Sequence, residues 1–382
     1  MMKYRLYTPG PTSVPDATLL ELAKPVTHHR TGAFRKTFDE ATRLLQKVYR
    51  TKQPVYIVTG SGTSAFEAGL VSCVKAGSRV LNVANGKFGE RWSKIARQYG
   101  MHVTDIEPGY GNVPSAAEVA AELKKNTYDA FIITQSETST GTAADMAGIA
   151  KAVRDYSDTC LLIVDGITAI GALPFEMDAW GVDVAITGSQ KSLMLPPGLA
   201  FVAVSERAQA AMKAQEKPAN FYLDLRQYAK AASDSDTPFT PANTLVEALT
   251  VSLRMIDAEG IEAVWHRTHT VAEAFRQGMT ALGLKLFSSS PADSVSAVYL
   301  PEGVSDADFR NALKNNHNIH IAGGQGSMKD QVFRVNHMGY TDAYDCLAVV
   351  AAVEHTLAKL GKRVTLGTGV AAAQKALAPL FA

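Results

Sequence analysis

Cysteine is scarce in this sequence: three in 382 residues, Cys73, Cys160 and Cys346. Their wide spacing excludes a disulfide framework and a thiolate metal site, and no metal is expected. Neither sign of charge is in excess, with 38 basic against 37 acidic residues and a net charge of +1. That removes the electrostatic case for nucleic acid or an anionic membrane as partner. No stretch approaches the roughly 20 apolar residues of a membrane span. The opening "MMKYRLYTPGPTSVPD" has no apolar core of a signal peptide, so a cytoplasmic location is expected. What is present is ordinary for a globular protein, 46% apolar and 20% charged. The length suits two domains.

Prolines at 9, 11, 15 and 25 punctuate the start, and residues 1–25 read as an extended arm outside the core. Residues 31–49 place Phe34, Phe38, Ala41, Leu44, Leu45 and Val48 at helical spacing. Short β-rich runs then alternate with helical patterns: "VYIVT", "RVLNVAN", "AFIITQS", "CLLIVDG", "DVAITGS" and "LAFVAVS". Near-continuous apolar strands separated by helices predict an α/β domain built on a mostly parallel sheet covered on both faces, over 26–245. A long helical region begins near 244 and runs to about 282. The strands "SVSAVYL", "IHIAGG" and "VFRVNHMG" and a last long helix follow it. Residues 246–382 therefore read as a smaller C-terminal α+β domain with a long linking helix.

In an open parallel sheet, ligands bind beyond the carboxyl ends of the strands. After the first run comes Gly60-Ser61-Gly62-Thr63, then a helix, which is a phosphate cradle of N–H groups and hydroxyls. After the second comes "GKFG", presenting Phe88. After the third comes "ETSTG", with Thr138. The fourth ends on Asp165, and the fifth is followed by Gln190 and Lys191 in a loop stiffened by Pro196 and Pro197. Each alone has a plain reading: a tight turn, a core aromatic, a helix cap, an exposed lysine. Together they match pyridoxal 5′-phosphate. It needs donors for its phosphate, an aromatic plane, a carboxylate facing the pyridine nitrogen and a lysine for its aldehyde.

The sequence resembles the class V aminotransferases of the pyridoxal-phosphate fold type I, in the alanine–glyoxylate and serine–pyruvate branch. The matching pieces are "TPGPT", "GSGTSAFEA", "NGKFGER", "SETSTG", "IVDGITAIGALP", "TGSQKSLMLPPG" and "FRVNHMG", in family order over nearly the whole chain. The resemblance implies a large domain with a mostly parallel seven-stranded sheet. It implies that Lys191 forms the Schiff base and carries the proton, and that Asp165 pairs with the pyridine nitrogen. Phe88 would stack on the ring, Thr138 would bond the ring hydroxyl, and Ser61, Gly62, Thr63 and Gln190 would hold the phosphate. Arg334 would clamp the substrate carboxylate, a bidentate task that suits arginine. Gly10 is placed against substrate. Thr240, in "TPFTPAN", stands where a second subunit contributes to the phosphate site, which implies a homodimer with shared active sites. The family's aromatic phosphate contact just upstream is replaced by Thr237, and Phe239 has no hydroxyl. His28 and His29 are placed at the site mouth, with solvated loop histidines as the alternative. Asn243 is placed near substrate through its closeness to Thr240.

The implied reaction moves an amino group from a small amino acid, alanine or serine, to a 2-oxo acid, glyoxylate or pyruvate. Alternative donors are 2-aminoethylphosphonate and pyridoxamine. A lyase or desulfurase shares the fold but needs a mobile cysteine, and the loop 322–330 has none. A dinucleotide-dependent dehydrogenase is disfavoured: "GSGTS" is no G-x-G-x-x-G, and "LNVAN" ends without an acidic residue.

Overall fold

A computed structural model describes residues 2–381. The large domain is built on seven strands: β1 (Val55–Gly60), β2 (Arg79–Val83), β3 (His102–Ile106), β4 (Ala130–Thr134), β5 (Leu161–Asp165), β6 (Val184–Gly188) and β7 (Gly198–Val204). Their spatial order is β1-β7-β6-β5-β4-β2-β3. All pairs are parallel except those of β7, which runs antiparallel to β1 and β6. Six of these strands coincide with the apolar runs. The seventh, β3, "HVTDI", lies at the sheet edge and is only partly buried, so its sequence carries no apolar run.

Two apolar layers cover the sheet. One packs the helix Gly32–Tyr49 with Asn243–Glu259 and Met146–Tyr156; the other packs Gly62–Cys73 with Lys87–Gln98 and Leu225–Ala232. Helix Gly32–Tyr49 buries all six residues its periodicity singled out. Thr31 caps it, accepting from the Phe34 N–H at 3.2 Å.

The long helical region is two helices, Asn243–Glu259 and Ile261–Ala281, broken at Gly260 with φ 85°. Beyond them β8 (Val295–Tyr299), β9 (Ala322–Gly323) and β10 (Val332–Asn336) form an antiparallel sheet ordered β8-β10-β9. "IHIAGG" does not act as one strand. Ile319–His320 instead pairs in parallel with Arg5–Leu6.

That pairing changes the reading of the N-terminal segment as lying outside the core. Tyr7 is buried in the C-terminal apolar cluster, and its hydroxyl donates to Asp345 at 2.8 Å. The Asn336 N–H in turn donates to the Tyr7 carbonyl at 2.9 Å. Residues 16–22 are helical, with Thr18 buried against Ser252. The segment thus crosses from the small sheet to the end of β6. No helix among the described residues is long and apolar enough to cross a membrane.

Candidate active site

The carboxyl ends of β1, β2, β4, β5 and β6 bring five loops to one edge of the sheet. After β6 the chain turns through Ser189, Gln190 and Lys191. The Ser189 hydroxyl donates to the Pro196 carbonyl at 2.7 Å, tying the loop closed. From the N-terminal segment, Thr12 donates its N–H to the Gln190 carbonyl at 3.1 Å and its hydroxyl to the Lys191 carbonyl at 2.9 Å. The lysine backbone is therefore fixed from outside its own loop.

The Lys191 side chain is 8% exposed, and Nζ donates to the Pro9 carbonyl at 2.6 Å. Burial lowers its pKa to about 8; the Arg334 and Arg91 charges push the same way and Asp165 opposes them. Gly10 lies directly on this side chain. Its φ of +142° is one that side-chain-bearing residues rarely adopt, and a Cβ there would run into Lys191 Nζ.

Asp165 closes β5 at 2% exposure. It accepts the Ile167 N–H at 2.9 Å and the Thr134 hydroxyl at 3.3 Å, and no ion pair with a described residue neutralises it. Burial raises its pKa to about 7, with the nearby Glu137 charge adding to the rise. A buried carboxylate without a cation is what a protonated pyridine nitrogen would complete.

After β4 the chain makes a small hairpin, Ser136–Glu137 paired with Thr142–Ala143, that also touches the three-stranded sheet region. Ser136 bonds Ser294 at 2.8 Å, and Arg334 Nη1 donates to the Thr138 carbonyl at 2.9 Å. Arg334 Nε donates to the Gly323 carbonyl at 2.9 Å. Arg334 is 5% exposed and forms no ion pair with a described residue. Burial lowers its pKa to about 10, against the pull of Glu137. A buried arginine held by two carbonyls, with donors left over, suits an incoming carboxylate. The Thr138 hydroxyl bonds that of Thr168 at 2.9 Å, and Thr168 donates onward to the Ser136 carbonyl.

At the cup, Ser61 precedes helix Gly62–Cys73 in an extended conformation, yet its hydroxyl does not cap the helix. The Ser64 N–H donates to the Ser61 carbonyl at 2.8 Å, while the Gly62 and Thr63 N–H groups have no partner among the described residues and stay open for an anion. Gly62 and Gly188 approach closely, and the Gln190 amide oxygen is buried without a partner. Phe88 opens helix Lys87–Gln98 half-buried. The residues present thus fit pyridoxal phosphate: an uncompensated carboxylate, a buried lysine of lowered pKa, an open helix start and an aromatic plane.

Sequence reasoning passed over Glu137. Its carboxylate is fully buried and accepts the N–H groups of Phe88, Gly89 and Ser139 at 3.0, 2.9 and 3.0 Å. It caps the helix that carries Phe88 from across the sheet edge. Thr12, Thr168 and Arg91 were likewise passed over.

The structure does not bring every expected residue inward. Thr240 is exposed, although its loop lies by the end of β1, where the Ala242 N–H donates to the Thr59 hydroxyl at 3.0 Å. The Asn243 amide donates to the Thr27 carbonyl, so it is committed to the His28–His29 segment. His28 and His29 stack with ring centroids 5.1 Å apart, and His29 Nε2 is buried without a partner. Within the chain no hydrogen bond of the described residues links these three to Lys191, Asp165 or Arg334.

The model of the family "Aminotransferase class-V" matches residues 14–341. The chain belongs to this family. It is a pyridoxal-phosphate-dependent transaminase of fold type I. Among curated relatives, this class V aminotransferase is 40% identical to "Soluble hydrogenase, small subunit" of Synechococcus sp., with 98% of each chain covered. It is 35% identical to "L-aspartate--glyoxylate aminotransferase" of Paracoccus denitrificans, covering 97% of this chain and 95% of that one. It is 33% identical to "Serine--glyoxylate aminotransferase" of Methylorubrum extorquens, again covering 97% and 95%. Among solved structures, the ureidoglycine–glyoxylate aminotransferase of Bacillus subtilis superposes with a TM-score of 0.92 at 29% identity, covering 98% of both chains. The alanine–glyoxylate aminotransferase of Nostoc sp. does so at 0.89 and 31%, covering 94% and 96%.

Proposed function

We propose that this enzyme exchanges an amino group between a small amino acid, alanine or serine, and glyoxylate or pyruvate, in a ping-pong cycle. The observation that carries this is the placement of Lys191, buried with its pKa lowered to about 8, beside Arg334, a buried cation without an ion pair among the described residues. Bound pyridoxal phosphate supplies an aldehyde that holds the amino group and a protonated ring that draws electrons from the substrate Cα. Lys191 Nζ takes the Cα proton of the amino acid and returns it. A neutral amine is required for that, and burial beside Arg334 makes it more accessible than in an ordinary lysine. Asp165 would keep the ring nitrogen protonated, Phe88 would cover the ring and Thr138 would serve its hydroxyl. Ser61, Gly62, Thr63 and Gln190 hold the phosphate. Arg334 binds the carboxylate common to donor and acceptor, with Gly10 packing at the same place and His29 and Asn243 at the mouth.

We assign the active form as a cytoplasmic homodimer. Thr240 is exposed and uncommitted beside the β1 end, which supports its service to a second copy. A desulfurase reading has no cysteine to use. All three are buried, and burial pushes Cys346 up to about 12.

The test is a half-reaction. Protein loaded with pyridoxal phosphate is titrated separately with L-alanine, L-serine, L-aspartate, 2-aminoethylphosphonate and pyridoxamine. The visible absorbance and the 2-oxo acid released are followed. Alanine or serine should bleach the visible band with one equivalent of oxo acid. A response only to one of the other three amines would overturn the donor assignment.

A further inference from the structure

A phosphate monoester carries about −1.5 to −2 charges at neutral pH. The groups assigned to the phosphate cup, Ser61, Gly62, Thr63 and Gln190, are all neutral. The helix start adds only about half a positive charge. Beside the cup stands a cation with no assigned task. Arg91 Nη1 donates to the Thr63 hydroxyl at 3.2 Å, and the guanidinium carbon lies 4.8 Å from the centroid of the Phe88 ring. Acidic residues on and against its helix are engaged elsewhere. Glu90, its chain neighbour, pairs with Lys87 at 3.0 Å and takes the Tyr110 hydroxyl. Asp105 pairs with Arg97 at 2.6 Å. Arg91 is half-buried and forms no ion pair with a described residue. Helical spacing explains its placement: Phe88 and Arg91 are one turn apart on the same face.

We propose that Arg91 is a ligand of the cofactor phosphate, supplying the positive charge that the neutral cup lacks. The inference rests on the reading that the 60–63 turn cradles that phosphate. Arginine suits the task because its planar fork pairs with two phosphate oxygens while its flat face stays on an aromatic. Holding Thr63 and covering Phe88, it couples the cup to the ring platform, so phosphorylated and unphosphorylated cofactor are bound very differently.

The experiment measures equilibrium binding of pyridoxal phosphate and of pyridoxal, which lacks the phosphate, to apoprotein. Wild type, Arg91→Gln and Arg91→Lys are compared. Arg91→Gln should weaken pyridoxal phosphate by about ten- to a hundredfold, as expected for losing a charged hydrogen bond, and leave pyridoxal unchanged. Arg91→Lys should recover part of the loss. Equal weakening of both ligands, or no weakening of either, overturns the proposal. If Arg91→Gln does not fold, Arg91→Met keeps the apolar stem over Phe88 and carries the same comparison. A wild-type protein that binds pyridoxal as tightly as pyridoxal phosphate would overturn the cup assignment itself, and that result is visible without any variant.

Discussion

Lys191 Nζ donates to the carbonyl of Pro9 at 2.6 Å, a contact between residues 182 apart in sequence. The segment that carries Pro9 is anchored at one end on the small domain, through Tyr7, and at the other on the Lys191 backbone, through Thr12. The Lys191 amine is therefore held by a strap from the N-terminal segment. Gly10 is its tightest point, with φ +142° and no room for a Cβ beside the lysine. Gly10→Ala should lower turnover by about a hundredfold or more, since small displacements of a reacting group cost that much. Far-UV circular dichroism should be unchanged. Steady-state kinetics checks the first expectation; a variant with normal turnover would show that the strap does not aim Nζ.

The lowered lysine pKa has a sign that can be measured. Below about 8 the Lys191 amine is mostly protonated, and above it mostly neutral. The rate at which apoprotein captures pyridoxal phosphate should rise with pH to a midpoint near 8. Arg334→Gln removes one charge that lowers the pKa, so its midpoint should move up toward that of an ordinary lysine. The KM for the amino acid should also rise by about ten- to a hundredfold through loss of the carboxylate contact. Stopped-flow rates across pH 6 to 10 test the first effect and steady-state kinetics the second.

Asp165 gives a prediction with opposite outcomes in apo and loaded protein. Its folded pKa, about 7, lies above the ordinary 3.8. The folded state therefore binds a proton that the unfolded state has released between those values, and stability from this group falls as pH rises from about 4 through 7. Apo Asp165→Asn escapes this loss, so it should be more stable than wild type above pH 7, with the difference vanishing toward pH 4. Loaded with pyridoxal phosphate, the ranking should reverse, because only the carboxylate compensates a protonated ring. Thermal melts at several pH values, with and without cofactor, read both.

How much of this was legible in the sequence follows from what periodicity can carry. Six sheet strands were legible because each is a largely apolar run, and Lys191, Asp165, Arg334, Phe88 and the 60–63 turn because each stands beside such a run or within one. The edge strand β3 was not, since a strand half in water has no continuous apolar run. The division of "IHIAGG" between two sheets was hidden because its partner, Arg5–Leu6, lies more than 300 residues away. Glu137 stood in view within "SETSTG", but a carboxylate that caps a helix from another loop has no local signature. Arg91 carried one: its spacing from Phe88 put both on one helix face. Motif order alone suggested Asn243, whose amide is committed to the Thr27 carbonyl, and Thr240, whose expected service is to a second copy and whose exposure leaves it open to one.

The most direct test of the central claim is the absorbance spectrum of Lys191→Ala beside wild type, each with added pyridoxal phosphate. Wild type should show a visible band from cofactor held on Lys191. The variant should lack it, show the spectrum of non-covalently bound aldehyde and lose nearly all turnover. An unchanged visible band in the variant would contradict the assignment of Lys191 as the residue around which this site is built.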